Sequence, residues 1–439
     1  NISLALGMRL KTLLILPLLV ASLQADSLGN LSSNEYDEVR AAPLAHFNAN
    51  GIGADADTLI PMTSHYITSD SLTTVLDSSR IASHITGGNG SVRVWSFDDE
   101  YNLTELYTIS SPDGTHDNDT FGFEIELEGD FLGIGSYYTW RSSPHDGRYY
   151  VYNSSDGSFV SDFNYSPHSA QYFGIDSAIS DNFLCVLESG NLGGWNTDGG
   201  ISLYSRNPET NEVSFIEHYS FRYLKPSGYG ISSSALVSFG DELVTVQRIE
   251  GEETLTISAY TVESSLGIPS GIELLHSAEL PSDHTKVWGR NIVDFSGSSV
   301  VVSDPIFDNS GRVLVYPFNS QTGFGGGIEI KELSPSTSAK FGLSTKLYGD
   351  KILFISSPYY LGEGCVYIYD ISDPTSPKLL TRLSPPEGSE IVQFGSNLFI
   401  ESNQIVRAAY LYWAGSGEGD FDIKLNTIWR EAEGISQLK

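Results

Sequence analysis

Three aspartates, Asp113, Asp117 and Asp119, come closest to a metal-binding motif in this chain. Calcium is held by oxygen ligands, and carboxylates at short spacing in one loop can supply several of them. The same spacing does not recur elsewhere in the chain, so a solvated acidic loop is the simpler interpretation. The three aspartates are therefore weak calcium candidates, and no other metal or cofactor is expected.

Sequence motifs for catalysis are missing. The chain has no Gly-x-Ser-x-Gly nucleophile elbow, no His-Glu-x-x-His zinc helix and no phosphate-binding loop. The pairs His116-Asp117 and His145-Asp146 are adjacent only in sequence, and neighbours in an extended segment point in opposite directions. Carboxylates are too abundant for a glycosidase pair to be chosen without distances. No catalytic residue is assigned, and binding is favoured over catalysis.

A set of aromatic and polar side chains is the better candidate for a functional surface. Each falls in a segment that we expect to connect the second and third strands of a repeat. Exposed aromatic rings with amide or acidic neighbours suit sugar rings or a protein partner. The alternative is that the rings pack on adjacent repeats, the more frequent fate of large aromatic side chains. The set is Tyr137, Tyr138, Trp140, Arg141, Trp195, Asn196, Phe307, Asp308, Tyr359 and Tyr360, with Trp413 as a further candidate.

A repeat of aromatic-glycine pairs defines the units in which these connecting segments lie. The pairs recur at intervals of about 52–59 residues, and most are followed by a Gly-Asp or similar turn and a short apolar run. A tight turn between two apolar runs is typical of a β-hairpin. An earlier unit, beginning near Ser69, lacks the pair but keeps the later pattern, which makes seven units. The pairs are Phe121-Gly122, Phe173-Gly174, Tyr229-Gly230, Trp288-Gly289, Phe341-Gly342 and Phe394-Gly395.

Each unit is predicted to form four antiparallel strands. A pitch of about 50 residues is the size of a propeller blade, whereas β-sandwiches would repeat at about twice that length. The sequence therefore predicts an all-β, seven-bladed β-propeller of four-stranded antiparallel blades at 69–439. The last unit needs a fourth strand, for which we consider Leu44–Phe47 or Thr427–Glu431.

The units resemble the FG-GAP repeat of integrin α-subunit heads and of many secreted bacterial proteins. The resemblance rests on the Phe-Gly pairs, the Gly-Asp turns and the strand Gly364–Tyr369, with Ser303-Asp304-Pro305 and Ser356-Ser357-Pro358 where the family has Gly-Ala-Pro. It implies the propeller fold and an integrin-α-like role in cell adhesion. Many family members carry an Asp-rich calcium loop that is missing here. The chain thus resembles the calcium-free bacterial type, and integrin-type adhesion is not simply carried over.

The N-terminus has the pattern of an export signal. Met8, Arg9 and Lys11 form a short positive region, Thr12–Leu23 is apolar, and Ala25 offers a cleavage site. This pattern predicts a secretory signal peptide. We therefore expect upstream residues and signal peptide at 1–25 and an N-terminal segment at 26–68. The protein is expected to be secreted or at the cell surface (periplasmic or extracellular), with no membrane insertion after cleavage.

The net charge excludes one class of partner, and the cysteine positions predict the state of the two thiols. Charged residues make up only 18% of the chain, yet its formal net charge is -31. Such a surface repels phosphate backbones, so nucleic acid is not an expected partner. Cys185 and Cys365 fall three units apart, which predicts two buried free thiols.

Together these observations predict a secreted or cell-surface binding or adhesion module. It would recognise a glycan or an extracellular protein through one aromatic-rich propeller face. The alternative is a secreted propeller hydrolase or lyase acting on polysaccharide, which needs clustered carboxylates at the central channel. A third alternative is a structural unit of a larger surface assembly.

Overall fold

A computed structural model of the chain describes the strands and part of the connections. The described residues are 59–60, 74–76, 80–85, 90–97, 103–112, 120–137, 147–164, 173–188, 199–221, 235–248, 255–265, 267–281, 293–332, 339–349, 351–359, 364–384, 391–400, 405–413 and 421–430. They form antiparallel sheets almost throughout.

The first half of the chain forms three sheets after a short first strand, β1 (Leu59–Ile60), which pairs elsewhere. In each sheet the strands pair in chain order. Sheet 1 contains β2 (Thr74–Leu76), β3 (Arg80–Ile85), β4 (Ser91–Phe97) and β5 (Leu103–Ser110). Sheet 2 contains β6 (Glu124–Glu128), β7 (Phe131–Ser136), β8 (Arg148–Asn153) and β9 (Phe159–Phe163). Sheet 3 contains β10 (Phe173–Ile179), β11 (Phe183–Glu188), β12 (Gly199–Arg206) and β13 (Val213–Phe221).

The second half continues the same plan. Sheet 4 contains β14 (Ala235–Phe239), β15 (Glu242–Arg248), β16 (Leu255–Ser265) and β17 (Ile268–Glu279). Sheet 5 contains β18 (Val293–Phe295), β19 (Ser299–Asp304) and β20 (Arg312–Asn319), with its outer strand split into β21 (Gly323–Phe324) and β22 (Ile328–Lys331). Sheet 6 contains β23 (Thr345–Tyr348), β24 (Ile352–Ser357), β25 (Cys365–Asp370) and β26 (Lys378–Leu383). Sheet 7 contains β27 (Ile391–Ile400), β28 (Ile405–Trp413), β29 (Phe421–Arg430) and β1.

The first strands of these sheets are neighbours in space. Strand β2 contacts β6, β6 contacts β10, and the series continues through β14, β18 and β23 to β27. Strand β27 in turn contacts β2. Four-stranded antiparallel sheets with their first strands gathered together are the arrangement of a β-propeller. The all-β propeller predicted from the repeat is therefore confirmed.

The outer strand of sheet 7 comes from the N-terminal side of the chain. Leu59 pairs with Asn426 and Ile60 with Leu425, so β1 lies along the outer edge of β29. The expectation that Thr427–Glu431 forms a separate fourth strand is wrong, because Thr427 to Arg430 continue β29. The other candidate, Leu44–Phe47, lies outside the described residues.

Buried aromatics of the Phe-Gly pairs fill the junctions between sheets. Phe341, for example, packs with Val313 of sheet 5 and with Leu353 of sheet 6. The predicted packing between two sheets is therefore confirmed for Phe121, Phe173 and Phe341. Tyr229 and Trp288 lie outside the described residues. The described pairs contribute Phe121, Phe173 and Phe341, all 0% exposed, and Phe394, 3% exposed.

A glycine before the third strand of one sheet lies against the Phe-Gly pair of the next sheet, which explains why the two motifs recur together. Gly147 precedes the third strand of sheet 2, and a Cβ there would lie 2.0 Å from the carbonyl oxygen of Phe173 in sheet 3. A Cβ at Gly364 would lie 2.5 Å from the corresponding oxygen of Phe394. Only glycine allows two backbones to approach this closely. The Phe-Gly pair of one sheet and the glycine of the preceding sheet thus form one junction.

The two cysteines are buried thiols that form no disulfide, as predicted. Cys185 belongs to the apolar cluster between sheets 3 and 4, and Cys365 to the cluster between sheets 5 and 6. Burial raises the pKa of the Cys185 thiol. Both therefore serve as small core residues.

Candidate functional site

Loops of sheets 5 and 6 form a surface that we call the 5/6 loop face, defined as residues 306–311, 339–341 and 357–359. The first segment connects β19 to β20, and the last follows β24. Backbone hydrogen bonds join the three segments. Phe341 N donates to Ser310 O at 2.8 Å, and Tyr359 N donates to Ala339 O at 3.3 Å. The connections of two neighbouring sheets are therefore held as one surface.

Backbone strain is concentrated on this face. Four non-glycine residues of the described chain have positive φ, and three of them are Asp308 (φ 47), Asn309 (φ 58) and Lys340 (φ 52). The left-handed conformation is unfavourable for residues with a Cβ, and of these three residues lysine adopts it least readily, because it lacks the local hydrogen bonding of Asp and Asn. Strain of this kind persists where the surroundings enforce it, and it clusters at ligand sites and other functional positions.

Phe307 supports the face from one side. The Arg312 guanidinium lies 3.6 Å from the Phe307 ring centroid, and the Lys331 ammonium lies 5.0 Å from it. Arg312 is buried, and it pairs with Asp304 at 3.7 Å and with Glu329 at 3.1 Å. These contacts leave the Phe307 ring half-buried. Phe307 therefore supports the face through these packing contacts, and its ring is only partly accessible to a ligand.

Tyr359 is the more accessible ring. It is 37% exposed, and Ile306 on the neighbouring loop is 41% exposed. The Lys340 ammonium lies 4.5 Å from the Tyr359 ring centroid, a distance typical of a cation–π contact. Asp308 and Asn309 are exposed on the same face. The face thus presents one aromatic ring, one apolar side chain, an amide, a carboxylate and an ammonium group.

A buried carboxyl lies behind Tyr359. Glu332 follows β22 and is 6% exposed. Its Oε1 accepts hydrogen bonds from Ser357 Oγ at 3.0 Å and from Tyr367 OH at 3.1 Å. Its Oε2 is buried and has no hydrogen-bond partner. The floor of the face is therefore polar and connects sheet 5 to sheet 6.

The other residues proposed from sequence are not gathered here. Tyr137 is half-buried and packs edge-to-face on Phe123, with ring centroids 4.3 Å apart. Trp413 ends β28. Within the described ranges, no group of three or more His, Cys, Asp or Glu side chains could hold a metal ion. Outside the described residues lie Tyr138, Trp140, Arg141, Trp195, Asn196 and Tyr360, together with Asp113, Asp117 and Asp119.

The first strands carry charges that sequence reasoning missed. Glu126 on β6, Asp176 on β10 and Lys346 on β23 form what we call the channel cluster. The pKa of Glu126 is raised to about 8, mainly by burial and next by the Asp176 charge, while Lys346 opposes this shift. Strands β6 and β23 belong to sheets 2 and 6, which are not consecutive. The interaction of Glu126 with Lys346 therefore acts across the space between the first strands, which we call the channel.

Asp176 is held firmly in this cluster. Its Oδ2 accepts a hydrogen bond from Leu236 N of sheet 4 at 2.8 Å, and its Oδ1 accepts one from Ser177 N at 3.0 Å. Two such bonds favour the ionised carboxylate. The Tyr149 hydroxyl lies beside it, 2.9 Å from Ser177 Oγ. A half-buried acid with a raised pKa on β6 thus interacts electrostatically with a hydrogen-bonded carboxylate on β10.

One signal for this cluster was visible in the sequence. Glu124, Glu126 and Glu128 alternate along one short segment, which places all three on the same side of a strand. The glycines Gly133 and Gly135 on the adjacent strand make room on one face. A Cβ at Gly133 would lie 2.1 Å from the Tyr149 hydroxyl oxygen.

The comparisons with known proteins concern shape alone. No protein-family model matches the chain, and no curated protein matches it in sequence. One similar solved structure is a prolyl endopeptidase, at 11% identity and TM-score 0.47, over 93% of this chain and 55% of that one. Another is a putative 6-phosphogluconolactonase from Bacteroides uniformis, at 12% identity and TM-score 0.47, over 78% and 93%. A third is the β-propeller domain of the trilobed protease from Pyrococcus furiosus, at 10% identity and TM-score 0.42, over 84% and 96%.

These likenesses carry no activity over to this chain. The chain spans about half the length of the prolyl endopeptidase, and all three TM-scores are below 0.5. The fold assignment rests on the strand order and on the contacts between first strands. In the described part of the chain, no helix has the length and hydropathy of a membrane span.

Proposed function

We propose that this protein is a seven-bladed propeller of FG-GAP type that binds a glycan through the 5/6 loop face. The described residues form seven sheets, and the contact between β27 and β2 supports their closure into one ring. The Phe-Gly junctions and the adjacent glycines support the FG-GAP assignment. The export pattern at 1–25 supports secretion or display at the cell surface.

The observation that carries the binding proposal is the concentration of strain beside an exposed ring. Asp308, Asn309 and Lys340 hold left-handed conformations, and each lies on the face that presents Tyr359. Such strain lowers stability, so a role in the function of this face explains its retention. An aromatic ring with polar neighbours can stack on a sugar ring while its hydroxyls are hydrogen-bonded.

A glycan-array screen of the mature chain, with and without calcium, tests the proposal. We expect saturable binding that Tyr359→Ala weakens at least about tenfold, the scale of a central interface residue. Phe159→Ala is the matched control, because Phe159 is 54% exposed on the outer strand of sheet 2. Binding that survives Tyr359→Ala, or is lost equally in Phe159→Ala, would exclude the 5/6 loop face.

The channel cluster favours a second candidate function, hydrolysis of a polysaccharide. A carboxylic acid that stays protonated near neutral pH, close to an ionised carboxylate, is the arrangement of glycoside hydrolases. In that role Glu126 would donate its proton to the glycosidic oxygen, and Asp176 would activate the attacking water. Release of new reducing ends by the wild-type chain, abolished in Glu126→Gln, would establish this activity. If the wild-type chain released no reducing ends from any polysaccharide tested, this candidate function would be excluded.

A further inference from the structure

Three oxygen contacts meet at the junction of sheets 5 and 6. Ser357 Oγ lies 3.0 Å from Glu332 Oε1 and 3.2 Å from Ala339 O. Tyr367 OH lies 3.1 Å from the same Glu332 oxygen. All four residues are buried. The contacts connect the end of sheet 5 to β24, β25 and the loop face above them.

The number of hydrogens in this cluster decides how many of the three contacts can be hydrogen bonds. Each oxygen–oxygen contact requires one hydrogen to be a full hydrogen bond. Tyr367 and Ser357 supply one each, so two hydrogens are available for three contacts. A proton on Glu332 supplies the third. The protonated carboxyl can donate to Ser357 Oγ, which leaves the Ser357 hydrogen free for Ala339 O.

We infer that Glu332 is a proton-linked switch that controls the packing of the 5/6 loop face. With the proton bound, all three contacts are hydrogen bonds and Ala339 is tied to β24. With the proton lost, Ser357 and Tyr367 both donate to Glu332, and Ala339 O loses its hydroxyl donor. Ala339 O is then held to the segment 357–359 only by the hydrogen bond from Tyr359 N, at 3.3 Å.

The surroundings of Glu332 agree with this inference. The groups that face it are Ser357 on β24, Tyr367 on β25 and the positive charge of Arg382 on β26. Within the described residues, no cation lies within ion-pair distance of Glu332. Its Oε2 is buried without a partner, which is costly for a carboxylate and tolerable for a neutral acid. Burial accordingly raises the pKa of Glu332 to about 7, against the opposing hydrogen bonds and Arg382.

The direction of the pH effect follows from this shift. A carboxyl whose pKa is raised by folding stabilises the folded state below its unfolded value, here 4.5. That stabilisation is lost as the pH rises through about 7. The loop face should therefore be most firmly packed in mildly acidic solution and should loosen above neutral pH.

Hydrogen exchange of the whole chain between pH 5 and pH 9, corrected for intrinsic exchange rates, tests the switch. In the wild type we expect amide protection in 339–359 to fall as the pH rises, by at most about tenfold per pH unit. Glu332→Gln should keep high protection at every pH, because its amide group permanently supplies the third hydrogen. Ser357→Ala should also make the protection independent of pH, because it removes the hydroxyl that connects Glu332 to Ala339 O.

Glu273→Gln is the matched control, since Glu273 is exposed on β17 of sheet 4. It should keep the wild-type profile. A wild-type profile without pH dependence in 339–359 would overturn the inference. So would a Glu332→Gln variant that loses protection with pH as the wild type does.

Discussion

Two junctions of the propeller share one scaffold and differ in where they place charge. The junction of sheets 2 and 3 and that of sheets 5 and 6 each bury a phenylalanine, Phe173 or Phe341, under a glycine of the preceding sheet. At the first junction, the charges lie on the first strands, with Glu126 on β6 and Asp176 on β10. At the second, Glu332, Lys340 and Asp308 lie in or beneath the outer loops. The repeat therefore accounts for the fold, and departures from it mark the candidate sites.

The largest expected effect tests the shared scaffold. Phe173→Ala and Phe341→Ala should each lower the free energy of unfolding by about 3–5 kcal/mol, because both rings are fully buried between two sheets. Urea unfolding of the two variants measures this. A large loss at one junction and a negligible loss at the other would break the equivalence.

A somewhat smaller effect tests the close approach of backbones. Gly147→Ala should cost about 3 kcal/mol, because its Cβ would lie 2.0 Å from the Phe173 carbonyl oxygen. Gly326→Ala is the control, since a Cβ there meets nothing within 4 Å. Similar stabilities of the two variants, measured by urea unfolding, would show that the glycine is not required at the junction.

A pH effect sharpens the contrast between the two sites. Burial, followed by the Asp176 charge, raises the pKa of Glu126 to about 8 from 4.5. Its stabilising contribution is present below pH 4.5 and is lost as the pH rises through about 8. Wild-type stability relative to Glu126→Gln should fall over this range, as measured by urea unfolding at several pH values. A constant difference would mean that Glu126 is ionised in the folded protein.

The smallest expected effect tests the strain on the 5/6 loop face. Lys340→Gly should raise the free energy of unfolding by up to about 1 kcal/mol, because glycine adopts φ 52 without strain. Glycan binding should weaken in the same variant, since the ammonium beside Tyr359 is lost. Lys351→Gly, at an exposed turn position without positive φ, should not be stabilised. A Lys340→Gly variant less stable than the wild type would contradict the strain argument.

The sequence specified the repeating parts of this molecule and little of what differs between repeats. Phe-Gly pairs, tight turns and apolar runs recur at one pitch, so strands such as β24 and β25 could be placed from local pattern. The outer strand of sheet 7 could not, because Leu59 and Ile60 have no repeat signature and pair with residues far along the chain.

The candidate sites depend on long-range geometry that a single sequence does not show. Asp176 follows a register shift in β10, so its direction could not be read from simple alternation. Glu332 is one of 55 acidic residues, and only its contacts with Ser357 and Tyr367 distinguish it. Phe307, Asp308 and Tyr359 were proposed from their loops, but the strain beside them is visible only in the structure.

The most direct test of the account is a calorimetric titration of the tightest-binding array oligosaccharide into the wild type, Tyr359→Ala and Phe159→Ala at pH 6. The account predicts saturable binding by the wild type and the Phe159 variant, and an affinity at least about tenfold lower for the Tyr359 variant. Equal affinity in all three proteins would contradict the assignment of the 5/6 loop face as the binding site.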